Sequence, residues 1–328
     1  MRILALLLAL QPVLAATGET TVARWQNDAT GAFMLMFDDS WPSHFQVAAP
    51  ELHKRGLTAT FYINPGKGEY KVFEETWRNE VWQLGQVYGV HTMDHKGLAD
   101  LAAARADLAQ CAQLIREMVP GAPDRLISYA RPGVPAEAWG ISDEEEALAL
   151  AENNLIDRPP FADHGAVYHF QTLEQMIGLA DAAIEAGDLN YLIVHGVERI
   201  EPAWNYQDFW ALDQDIFVPL LDGLAERVAA GDLWVTDHIS AHQYQVERDS
   251  ARVDLLAADG QEVRLRLSHE ADPALYDLPL TLVTEVPAGW ARVSVRQGEA
   301  EQTVETADGR ATYSARAGAD EIVLRAAD

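Results

Sequence analysis

Up to about residue 240, short β-type apolar runs alternate with longer segments of helical period, and this confines the chain to an α/β domain built on parallel strands. Seven strands are expected: Phe33 to Phe37, Ala59 to Ile63, Val87 to Val90, Leu126 to Ala130, a weak one between Asn154 and His169, Tyr191 to His195, and Leu233 to Thr236. Helical stretches such as His44 to Arg55, Leu98 to Met118, Thr172 to Ala186 and Phe209 to Ala229 lie between them, several ending near glycine as a helix C-cap does. Beyond Arg252 the texture changes to short alternating runs with turn signals. Val253 to Leu256 and Val263 to Leu267 flank Asp259-Gly260 as a hairpin, and Leu280 to Val286, Ala291 to Val295, Ala311 to Ala315 and Glu321 to Leu324 follow. The expected domains are therefore an α/β domain with parallel strands over 16–248 and a small antiparallel β-sandwich over 249–328.

Residues 1–15 place Arg2 before the apolar run Ile3 to Leu14, and Val13-Leu14-Ala15 gives the small-residue cleavage pattern of a secretory signal peptide. Secretion or a periplasmic location is expected. Cys111 is the sole cysteine, so no internal disulfide forms and stability must come from burial. The net charge of −27 is spread along the chain: residues 1–250 carry 16 basic and 37 acidic side chains, and residues 251–328 carry 8 and 14. Such a field argues against nucleic acid and anionic membrane surfaces as partners. No Gly-rich phosphate loop or Gly-x-Ser-x-Gly elbow is present, which removes nucleotide-dependent and serine-esterase chemistry.

Side chains just beyond the carboxyl ends of parallel strands share one mouth. Asp38, Asp39, His91, His95, Arg131 and His195 all occupy such ends. An Asp-Asp pair alone is usually a solvated loop or a cap, and a lone His-x-x-x-His is usually two surface histidines; the shared position is what gives them weight. Two imidazoles and a carboxylate brought together make a three-ligand metal site with coordination positions left open.

The order and spacing of four motifs resemble the polysaccharide deacetylase family, carbohydrate esterase family four, over roughly residues 30–240. They are Met34-Leu35-Met36-Phe37-Asp38-Asp39; His91-Thr92-Met93-Asp94-His95 with Leu98; Tyr129-Ala130-Arg131-Pro132-Gly133; and Leu192-Ile193-Val194-His195. The resemblance implies a distorted (β/α)7 barrel and hydrolysis of acetyl groups from an acetylated carbohydrate, N- or O-linked. It implies a divalent ion held by Asp39, His91 and His95, zinc first by ligand softness with manganese, cobalt or iron open. It also implies Asp38 as general base, His195 as general acid and Arg131 as the cation that keeps Asp38 ionised.

The sequence departs from the family pattern at Ser40-Trp41, where glycine is usual, at Gly133, and in lacking an aspartate-tryptophan motif between Arg131 and His195; Asp157 and Asp163 are stand-ins for the latter. Trp41 and Trp204 are the expected sugar-stacking residues, with core packing as the plainer reading of each. The segment Arg158 to His164 is expected to form a loop over the mouth. The other histidines, His44, His53, His164, His169, His238, His242 and His269, read as surface or core residues. Rival readings are a non-catalytic carbohydrate-binding protein on the same barrel and a small-amide metallohydrolase.

Overall fold

The computed structural model describes residues 16–160, 170–200, 206–318 and 320–327. The expected signal peptide therefore lies outside the described residues. Among those described, no helix is long and apolar enough to cross a membrane.

Among the described residues fifteen strands form: β1 (Thr20–Val22), β2 (Gly31–Asp38), β3 (Thr60–Ile63), β4 (Val87–Val90), β5 (Ile127–Tyr129), β6 (Leu155–Asp157), β7 (Leu189–Val194), β8 (Leu233–Thr236), β9 (Arg252–Ala258), β10 (Glu262–Ser268), β11 (Leu280–Glu285), β12 (Arg292–Gln297), β13 (Ala300–Ala307), β14 (Arg310–Ala315) and β15 (Ile322–Ala326). Strands β2 to β8 make a seven-stranded parallel sheet in the order β6-β5-β4-β3-β2-β7, with β8 also on β2. One edge of β2 pairs with β7 over Ala32 to Phe37; the other is shared by β8 below, at Gly31 to Met34, and β3 above, at Met36 to Asp38. No ladder among the described residues joins β6 to β7, so the barrel is open there, as the expected distortion implies.

The continuous apolar runs are buried on both faces, as parallel strands are. Odd positions of β2, Phe33, Leu35 and Phe37, face the main core with the surrounding helices. Even positions Met34 and Met36 face the barrel interior with Tyr62, Ala130, Tyr191, Ile193 and Ala241. Ala241 comes from helix His238–Asp249, which the sequence reading did not assign.

The chain divides into two units, Met1–Ala23 with Ala251–His269 and Pro279–Asp328, and Arg24–Ser250 with Glu270–Leu278. The expected boundaries shift accordingly. β1 pairs with β11, which takes Thr17 to Ala23 out of the barrel, and Glu270–Leu278 returns to it through Leu278 N, which donates to Glu247 Oε1 at 2.9 Å. The first unit is antiparallel throughout, in the order β1-β11-β14-β13-β12-β15-β10-β9, and buries alternate residues such as Val263, Leu265 and Leu267. β13 escaped the sequence reading because its Ala-Glu-Gln-Thr-Val-Glu-Thr-Ala run is almost wholly exposed and carries no apolar alternation. The helix expected from Phe209 begins only at Gln214, leaving Phe209 to Asp213 in a loop.

Candidate active site

Strand register sets the level of the site. Asp38 is opposite Tyr62, Ile63 opposite Val90, Val90 opposite Tyr129, Tyr129 opposite Asp157 and Phe37 opposite Val194. Residues just past these pairs reach one rim. Asp38, Asp39, His91, His95, Arg131 and His195 line a single cavity of about 260 Å³, with Gly133, Arg158, Phe209 and Trp210.

At this rim Asp39 Oδ1, His91 Nε2 and His95 Nε2 converge: each offers a ligand atom within 4.8 Å of the others. Asp39 Oδ1 stands 3.7 Å from His91 Nε2 and 3.3 Å from His95 Nε2, yet it is buried and accepts no hydrogen bond. His91 Nδ1 faces Ala130 O at 2.8 Å, and since a carbonyl only accepts, Nδ1 carries the proton and Nε2 presents its lone pair. Burial pushes the His91 imidazole down to about 4, so it is neutral at pH 7. Lys67 Nζ stands 3.5 Å from the same oxygen, beyond hydrogen-bond geometry, so the lone pair of His91 and this carboxylate oxygen form a donor set able to take a metal ion. The three residues fit a divalent ion of the borderline class.

The backbone around these donors is strained and braced. Asp39 (φ 84°), Ser40 (φ 58°), Thr92 (φ 60°) and His95 (φ 59°) sit in the left-handed region. Ser40 Oγ accepts from Asn64 N at 2.8 Å, Asn64 Nδ2 donates to the carbonyls of His91 and Thr92, Thr92 Oγ1 accepts from His95 N at 3.2 Å, and Asp107 accepts from Met93 N at 3.0 Å.

Asp38 is not held by Arg131. Arg158 meets it with two bonds, Nη1 to Oδ1 at 2.9 Å and Nη2 to Oδ2 at 2.8 Å, both side chains being nearly inaccessible. Burial alone would raise the Asp38 carboxyl; Arg158, with His91 and His195, outweighs it and holds the group at about 2. Arg131 instead reaches Glu146 at 3.2 Å and Asp143 at 3.3 Å, and stacks 4.4 Å over Trp139. The period-two alternation of a strand explains the exchange. Tyr129 faces outward and bonds Glu146 at 2.8 Å, Ala130 faces the interior, and Arg131 returns outward to the same glutamate. One strand over, Leu155 belongs to the outer core, so Arg158 has the inward parity shared by Met34, Met36 and Asp38.

The remaining expectations divide. His195 lies at the rim, where burial lowers its imidazole, against the raising effect of Asp38 and Asp39. Trp41 does not line the cavity: its ring lies 6.5 Å from Phe209, with Lys67 Nζ 4.9 Å above it. Phe209 and Trp210 wall the cavity in its place, stacked 4.3 Å apart and edge-on to His195 at 5.6 and 5.2 Å. Trp204, Asp163, His164 and His169 lie outside the described residues. Asp157 is raised to about 6 by burial and by Glu146.

The described length of the expected Arg158 loop starts inside the barrel rather than over it, Arg158 being 7% exposed. Three residues of β6 and the prolines after it hid this arginine from pattern reading. The strand-end rule that found Arg131 would have found Arg158 too, had β6 been placed.

Comparison with known proteins agrees with the resemblance. Residues 26–142 match the family model described as polysaccharide deacetylase. A gellan lyase from Bacillus sp. is 21% identical over 88% of this chain, which spans only 12% of that enzyme's length. Among solved structures, the family 4 carbohydrate esterase from Streptomyces lividans in complex with acetate is 16% identical, with TM-score 0.43, 63% of this chain and 92% of that one covered. The peptidoglycan deacetylase PdaC from Bacillus subtilis is 14% identical, with TM-score 0.46, 67% and 93% covered.

Proposed function

Because residues 26–142 match the polysaccharide deacetylase family, we propose that the protein is an exported, metal-dependent hydrolase that releases acetate from an acetylated polysaccharide or oligosaccharide. The observation that carries this reading is the convergence of Asp39 Oδ1, His91 Nε2 and His95 Nε2 around an oxygen that accepts no hydrogen bond. Asp39, His91 and His95 would hold the ion, zinc first by donor set. When bound, a divalent ion supplies Lewis acidity that polarises the acetyl carbonyl and makes water a nucleophile near neutral pH.

The chain's own residues supply the rest. Asp38, kept ionised by Arg158, takes the proton of the attacking water; each of its oxygens retains a lone pair beyond the one given to Arg158. His195 lines the same cavity and delivers a proton to the departing amine or sugar oxygen. The edges of Phe209 and Trp210 beside His195 fix its ring and keep that corner of the cavity apolar.

The test is acetate release from a panel of N- and O-acetylated glycans before chelation, after it, and after add-back of single divalent ions. Release that stops on chelation and returns with one ion supports the reading and names the metal. Release indifferent to chelation from metal-free protein overturns it.

A further inference from the structure

His195 stands one residue past the end of its strand. The ladder between β2 and β7 closes at Phe37 opposite Val194, and β2 then turns away through the left-handed Asp39 and Ser40. His195 O is therefore the first carbonyl beyond that pairing. What meets it is a side chain, His44, whose Nε2 lies against His195 O within hydrogen-bond reach. A carbonyl only accepts, so Nε2 carries the proton and donates. Burial pushes the His44 imidazole down to about 4, which keeps it neutral at pH 7.

Packing alone does not call for a histidine here. The ring is wholly buried and lies edge-on to Phe37, Phe61 and Trp77 at 5.5, 5.4 and 6.2 Å, an apolar pocket that phenylalanine would also fill. His44 Nδ1 finds no hydrogen-bond partner in that pocket, and a buried nitrogen left so destabilises the fold. Among the described residues the ring's one polar contact is His195 O, and it is the contact that a phenylalanine would forfeit.

Ser43 extends the hold. Its Oγ accepts from Val197 N at 2.9 Å, and its backbone N donates to Asp208 Oδ2 at 2.8 Å. From the other side Gly196 N donates to Phe209 O at 2.9 Å and Leu212 N to Gly196 O at 3.0 Å. Each residue from His195 to Val197 is thus tied through its backbone. Asp38, Asp39 and His44 belong to one short segment, and a π-helical turn, His44–Ala48, opens at the histidine, a departure from regular helix that recurs at functional sites.

We propose that His44 is a positioning residue for His195, holding the backbone from which that imidazole projects so that its proton reaches the leaving atom. The proposal rests on the reading of His195 as the acid. His44→Phe removes the donor and keeps the ring, whereas His44→Gln keeps a donor at the same reach. On N-acetylglucosamine oligomers, kcat of His44→Phe should fall about tenfold or more, with KM within about threefold and metal content unchanged, and His44→Gln should recover most of it. The loss should shrink to under about threefold on para-nitrophenyl acetate, whose phenolate leaves without a proton. Added to His195→Ala, His44→Phe should cause no further loss on the oligomers, since nothing remains to be positioned.

A readout apart from turnover is the NMR spectrum of isotope-labelled histidine. The ring signals of His195 should shift or broaden in His44→Phe and return in His44→Gln, while those of His91 and His95 hold. Ser43→Ala, which removes only the acceptor of Val197 N, should show the same pattern on a smaller scale and carries the test where His44→Phe does not fold. Unchanged kcat on the oligomers, equal loss on both substrates, full additivity with His195→Ala, or an unmoved His195 signal would each overturn the proposal. A His195 signal displaced by His44→Phe, in a protein that releases acetate from no glycan, would sustain the positioning and overturn the reaction instead.

Discussion

Two of the barrel's buried polar clusters are finished differently. In the interior, Tyr62 OH meets Ser128 Oγ at 2.8 Å and Ser128 Oγ meets His238 Nδ1 at 2.7 Å, while His238 N donates to Thr60 Oγ1 at 3.0 Å. Packing is equally complete: a Cβ on Gly89 would fall 2.5 Å from the Tyr62 ring. At the rim, Asp39 Oδ1 faces two imidazole nitrogens, with Lys67 Nζ at 3.5 Å, and accepts no hydrogen bond. A satisfied network specifies the fold, whereas an unsatisfied anionic oxygen among lone pairs costs stability unless a ligand completes it. What sets the rim apart is that its unsatisfied atom is an anionic oxygen facing two imidazoles, whereas Trp77 Nε1 and Arg116 Nε are single buried donors elsewhere in the barrel unit.

The sharpest way to break this contrast is to alter the rim chemically while sparing its shape. Asp38→Asn should lower kcat by about 10³-fold or more with metal content retained, whereas His91→Ala should lower acetate release and metal content together. Metal analysis beside single-turnover kinetics distinguishes them, and equal metal content in both variants would refute the ligand assignment.

Next in size is the contest between two arginines. Arg158→Met leaves Asp38 buried and unpaired and should cost about 3 kcal/mol in urea unfolding as well as most of the turnover. Arg131→Met removes a guanidinium 43% exposed, whose pairs include Asp143 at 93%, and should cost under about 1 kcal/mol. The reverse order would mean that Arg131 is the partner of Asp38 in solution.

A divalent ion at about 100 times its Kd should stabilise the wild type by about 2.7 kcal/mol, seen as a raised Tm, and His95→Ala should abolish that shift. A further effect belongs to the interior. Burial lowers His238 to about 3, against 6.5 for the exposed group. Between those values the unfolded chain binds a proton that the folded chain refuses, so stability is full above pH 6.5 and is lost as pH falls. Between pH 7.5 and 5.5 the wild type should lose about 1.4 kcal/mol more than His238→Gln, since the slope is about 1.4 kcal/mol per pH unit below 6.5. Equal losses would show that His238 is solvated.

Six rim residues were legible in the sequence because each follows an apolar run, and a strand end is a property of the run itself. Asp38-Asp39 after Phe37 and His91 after Val90 needed no third dimension. Arg158 was not legible in the same way: Leu155-Ile156-Asp157 is too short a signal, and prolines follow it. Phe209 and Trp210 were read as the first turn of a helix, since their spacing from Leu212 and Ile216 fits a helical face. Gly196 decides otherwise, because its backbone takes the bonds at Phe209 and Leu212 that would hold this segment as a loop.

By itself the sequence determined the alternation of strand and helix, the antiparallel character of the first unit and the set of groups delivered to one rim, because these follow from local periodicity and chain direction. Only the tertiary structure decided which cation meets Asp38 and which aromatics wall the cavity. A strand buried on both faces gives no sign of which parity looks inward, and the pairing of a desolvated carboxylate depends on the neighbour that shares its side of the sheet.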